Sequence, residues 1–98
     1  MKLVEKYIDH ICEEVEGAMD YAEKYIEYKA KGESSRASRY RDMASDELGH
    51  AAAVRDMAHQ DIQRIQAIMP LAIDDEEMWK AAVKRSDEKM AIVKQMLQ

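Results

Sequence analysis

Residues 40–58 read YRDMASDELGHAAAVRDMA, and this stretch decides the fold. Tyr40, Met43, Ala44, Ala51, Val54, Met57 and Ala58 recur at spacings of three and four. That is the period of a helix with one apolar face. Glu47 and His50 fall inside the same face. At about 100° per residue, Glu47 lies near the middle of the arc, flanked by Tyr40, Val54 and Ile65. His50 lies toward one margin, in line with Ile68. Residues three apart emerge on one side of a helix. A charge in a packed core is costly unless something pairs with it.

Working outward, the pattern continues through Ile62, Ile65 and Ile68 and stops at Pro70, which disfavours helix in the residue before it. The spacing predicts a helix B over about residues 36–69. Upstream, Val4, Ile8, Ile11, Val15, Ala18, Ala22 and Tyr25 keep the same period and predict a helix A over about 2–31. Gly32 is placed to close it, and Ser34 or Ser35 to cap the next helix. Downstream, Asp74 or Asp75 opens a helix C over about 74–97, with Glu76 and Glu77 complementing its dipole. Its stripe is Trp79, Val83, Ser86, Met90, Val93 and Leu97, and Trp79 is the expected anchor that docks it. The chain has one Pro and three Gly among 98 residues and no strand-like alternation. The expected class is all-α, one domain, with helices A and B as antiparallel neighbours.

Helix A holds one carboxylate inside its apolar arc. Glu14 lies between the directions of Tyr7 and Tyr21, whereas Glu13, Glu16 and Asp20 point away. In a hairpin turning near residues 31–34, Glu14 comes level with roughly residues 47–52. Angle and height therefore bring Glu14, Glu47 and His50 together. A Glu-x-x-His facing a Glu on a second helix is half of a carboxylate-bridged di-metal site. The residues leave a second account open: a hydrogen-bonded polar group, or a face turned to solvent.

Other polar residues point elsewhere. Asp61 lies in the helix B stripe, about 16 Å beyond His50 along the axis, where the N-terminal amine or Lys2 is its expected partner. His10, one turn before Glu14, is expected at the surface or beside the ligands. His59 is expected to be exposed, and Cys12 to be a small buried group.

Composition bounds the partners. With 36% charged residues and a formal net charge of −5, the chain lacks the basic run a nucleic-acid binder needs. One cysteine excludes an intrachain disulfide framework and paired-cysteine metal sites. No stretch approaches the roughly 20 apolar residues of a membrane span, and the first residues are too charged for a signal-peptide core. A cytoplasmic protein is the expectation.

The segment EVEGAMDYAEKYIEYKAKGESSRASRYRDMASDELGHAAAVRDM resembles the first half of a ferritin-like, rubrerythrin-like domain. The match rests on Glu14, on Tyr21 two turns later, on Gly32 in the turn, and on Glu47-Leu48-Gly49-His50-Ala51. It covers residues 14 to about 57. The chain departs from that family in helix C, where Ser86-Asp87-Glu88-Lys89-Met90 is not a second Glu-x-x-His. It also lacks rubredoxin-type cysteines and the length of a classical ferritin subunit. It is similar in this to encapsulated ferritins, short chains that build their site between two subunits.

The resemblance implies a homodimer or larger even-numbered assembly, two chains supplying four carboxylates and two imidazoles. It implies a di-iron centre that oxidises Fe(II) with O2 or peroxide. Tyr21 would stand beside the ligands, and electrons would come from Fe(II) itself or from a donor protein. Manganese or zinc would also suit the donor set. Two rivals are a non-enzymatic helical interaction or assembly protein without metal, and a metal that is structural only.

Overall fold

The computed structural model describes residues 1–98 as three helices and no strands. They are α1 (Lys2–Ala30), α2 (Ser34–Ile68) and α3 (Ile73–Met96), in agreement with the expected spans. Gly32, at φ +77°, closes α1. The amides of Lys31, Gly32 and Glu33 turn back onto the carbonyls of Glu27, Lys29 and Tyr28, the carbonyls that a helix end otherwise leaves unpaired.

The expected caps differ in detail. Neither Ser34 nor Ser35 caps α2; the turn is so tight that Glu33 takes the cap position and makes no side-chain cap bond. Likewise α3 is preceded by Ala72, and Asp74 and Asp75 lie in its first turn, where they still oppose the helix dipole. Met69 adopts extended φ and ψ of −153° and 134° ahead of Pro70 and so ends α2.

The α1–α2 hairpin is held close by small residues. Ala37, Ala44, Ala51 and Ala58 recur every seventh residue on α2 and are all buried, as are Ala18 and Ala22 on α1. Small side chains let two helices approach. The core is split in two. One part gathers Val4, Ile11, Val15, Ala51, Val54, Ala58 and Ile62 with Leu71, Trp79 and Met90. The other gathers Ala18, Ala22, Tyr25, Ala37 and Ala44 with Val93 and Leu97. Leu48 packs against both parts. Trp79 is 7% exposed, as the expected anchor of α3 should be.

α3 lies chiefly on α1 and barely touches α2. It shares clefts with Cys12, Val15 and Met19 of α1. Where α3 does meet α2, Arg55 pairs with Asp87, and Arg41 Nε donates to the Leu97 carbonyl at 2.9 Å. The outer flank of the α2 stripe, Met43, His50, Met57 and Ile68, is exposed, because no element of the chain covers it.

The result is a rod of 55 × 19 × 17 Å with a radius of gyration of 16.0 Å. A compact domain of this length has about 13 Å. Its accessible surface is 6549 Å², against about 5,700 Å² for a typical folded monomer of this mass. The excess, roughly 800 Å², goes with the elongated shape, which exposes more surface than a sphere of the same volume.

Candidate metal centre

Glu14, Glu47 and His50 meet in the gap between the two halves of the core. α1 contributes Glu14, just before buried Val15. α2 contributes Glu47 and His50 between buried Ala44 and Ala51. One ligand atom from each of the three lies within 4.8 Å of the others. His50 Nδ1 stands 3.5 Å from Glu14 Oε2 and 3.7 Å from Glu47 Oε1. Donor atoms bound at about 2.1 Å around one tetrahedral ion stand about 3.4 Å apart, so this spacing fits a metal.

The two carboxylates are mostly covered, with side chains 20% and 26% exposed, whereas His50 is 62% exposed. The expectation that all three lie inside the apolar arc holds for the two acids. It fails for His50, which lies on the flank of α2 that α3 leaves open.

The two acids behave as a pair. The hydrogen bond with Glu14, then burial, pushes the Glu47 carboxyl above the usual carboxylate range. The same bond, with His10 and the charge of His50 adding to it, holds Glu14 below that range. The two carboxyls are thus pushed in opposite directions by their closeness. Two like charges forced together in a poorly solvated gap cannot both ionise freely. A cation would relieve both.

Sequence reasoning passed over Gly17. A Cβ built there would lie 3.1 Å from Glu47 Oε2. Glycine inside a helix costs up to about 1 kcal/mol relative to alanine, yet here its bare Cα makes the recess in which the Glu47 carboxylate sits. A glycine one turn after Glu14, in an otherwise strong helix, was the signal available in the sequence.

The remaining residues resolve as follows. His10 Nε2 is 3.3 Å from Glu14 Oε1, so it stands beside the ligands. Tyr21 is not part of the three-residue group. Its ring lies 6.1 Å from Tyr40, which stacks on Tyr28 at 5.5 Å. Asp61 pairs with neither the N-terminal amine nor Lys2: the Tyr7 hydroxyl donates to it, and the amine pairs with Asp75 at 2.6 Å. His59 is exposed and Cys12 only partly buried. No helix is long and apolar enough to cross a membrane.

No protein-family model matches the chain, and neither a curated protein nor a solved structure does.

Proposed function

We propose that the chain is one half of a ferritin-like metal protein. Two copies would face one another across a twofold axis at Glu14, Glu47 and His50 and complete a four-helix bundle around a di-iron site. The observation that carries this is the convergence of two carboxylates and an imidazole in a gap of the core, with Gly17 leaving room for one carboxylate. The donor set of hard oxygens and imidazole suits iron or manganese and admits zinc. The exposed His50, Met43 and Met57 beside the site support a second copy as the missing cover.

In this reading Glu14, Glu47 and His50 would hold the metal, which would supply one-electron redox chemistry when bound. A bound cation would favour the ionised form of both carboxylates, and His10 would steady Glu14. Fe(II) is the substrate: two ions give one electron each to O2, which leaves as H2O2 with two protons from solvent. Alternatively the two electrons go to H2O2, which takes two protons from solvent and leaves as two waters. Tyr21 stands about 10 Å from Glu14 along the helix axis and packs on Tyr40.

The high exposure of His50 in a single chain is what favours the metal-free assembly protein instead. Elemental analysis after chelator-free purification decides between the two. The expected result is one metal per chain, lost in Glu47→Ala and kept when Glu13, Glu16 and Asp20 become Gln. Metal-free wild-type protein that stays metal-free in excess Fe(II), Mn(II) and Zn(II) would overturn the proposal. Oxygen consumption on adding Fe(II) then separates an oxidase from a structural site.

A further inference from the structure

The two ends of the rod carry opposite charge and opposite shape, and the metal site uses neither. At the hairpin end, residues 24–41 hold six cations and two acids, a net charge of +4 in a chain of −5. Glu27 is taken by Lys24 and Lys31, at 3.5 and 3.2 Å, and Glu33 stands 3.6 Å from Arg36, which leaves Arg39 without an acid partner. The first turn of α2 has no acid beyond the N-cap Glu33, so the positive end of its dipole is offset by that one carboxylate alone. A cavity of about 530 Å³ opens here, lined by Tyr28, Ser35, Arg36, Arg39, Tyr40 and Met43.

At the other end, the α2–α3 connection forms an apolar tip. Ile68, Ile73 and Met69 are 89%, 74% and 60% exposed, more than any other large apolar residue in the chain. The tip runs straight into four acids, so residues 68–77 carry a net charge of −4 and no cation. Asp75 holds the N-terminal amine and Glu76 pairs with Lys80 at 3.1 Å. Asp74 and Glu77 have no such partner.

We infer that the tip of one copy seats in the hairpin-end cavity of the next. Ile68, Met69 and Ile73 would pack against Tyr28, Tyr40 and Met43, while Asp74 and Glu77 meet Arg36 and Arg39. The ends lie at opposite poles of a 55 Å molecule, so one chain cannot satisfy itself. A lipid surface accounts less well for the tip, since four acids oppose anionic headgroups. A polyanion in the cavity would leave the tip unexplained. A second copy accounts for both ends. The contact is head-to-tail, so repetition gives a ring or an open filament rather than a closed pair. It does not depend on the metal reading.

The test is light scattering over a concentration series in EDTA, which removes pairing through the metal site. Measurements at about 50 mM and about 500 mM salt bracket electrostatic screening. Wild-type mass should rise with concentration and fall at high salt. Association should weaken at least about tenfold in Arg36→Glu/Arg39→Glu, in Asp74→Lys/Glu77→Lys and in Ile68→Ser/Ile73→Ser. The variant with all four charges exchanged should recover it. All these side chains are at the surface, and circular dichroism checks that helicity is kept. Wild-type mass that ignores concentration overturns the inference. So does assembly that survives Ile68→Ser/Ile73→Ser. Sedimentation with phospholipid vesicles in place of self-association would transfer the tip to a membrane.

Discussion

Gly17→Ala should separate stability from metal binding, because the two effects have opposite signs. Without metal, alanine in this helical position should stabilise by about 0.5–1 kcal/mol. In a domain of this size that raises Tm by roughly 2–8 °C. The new Cβ would lie 3.1 Å from Glu47 Oε2, and that oxygen ends a flexible side chain, so it yields cheaply by a few tenths of an ångström when nothing else holds it. With metal present the same shift matters, since ligand distances tolerate only about 0.2 Å. Disturbing a group that orients a ligand costs about 10–100-fold in affinity. By mass action that removes about 1.4–2.8 kcal/mol of metal-induced stabilisation, or roughly 6–22 °C of the Tm rise. Thermal melts by circular dichroism, in EDTA and in excess Mn(II) or Zn(II), measure both. Gly49→Ala is the control, as no atom lies within 4 Å of its Cβ position; it should melt higher with and without metal. A metal-induced rise in Gly17→Ala equal to that of the wild type would refute the role given to Gly17 and the position of Glu47 as ligand.

Trp79→Ala should cost about 3–5 kcal/mol, because the buried indole belongs to the same core cluster as Val54, Ala58 and Ile62 of the hairpin; a chemical-denaturation loss below about 1 kcal/mol would mean that α3 is held by something else. The Tyr7 hydroxyl donates to Asp61, which holds its ionisation above the ordinary tyrosine value. A raised folded-state pKa means that this stabilisation is present below about pH 10 and lost as pH rises through the folded value. Ultraviolet titration should therefore show one of the five tyrosines ionising late, and Asp61→Asn should bring it into line. A late tyrosine that survives Asp61→Asn would assign the effect elsewhere.

Much of the molecule was legible in the sequence. Spacings of three and four set the helices, Gly32 and Pro70 set their ends, and angle plus height brought Glu14 to Glu47 and His50. Those features are local, or follow from the rigid geometry of two helices joined by a short turn, so they need no knowledge of the third. What tertiary structure alone decided was coverage. Periodicity shows that a flank is apolar but not which neighbour takes it. α3 chose α1, and Met43, His50 and Met57 were left open as a consequence. Side-chain reach was hidden for the same reason. Asp61 finds Tyr7 across the hairpin rather than the amine, and Gly17 matters because of a carboxylate 30 residues away in sequence. Contacts between helices depend on their relative rotation and approach, and those are set by the whole packed core, not by any one stripe.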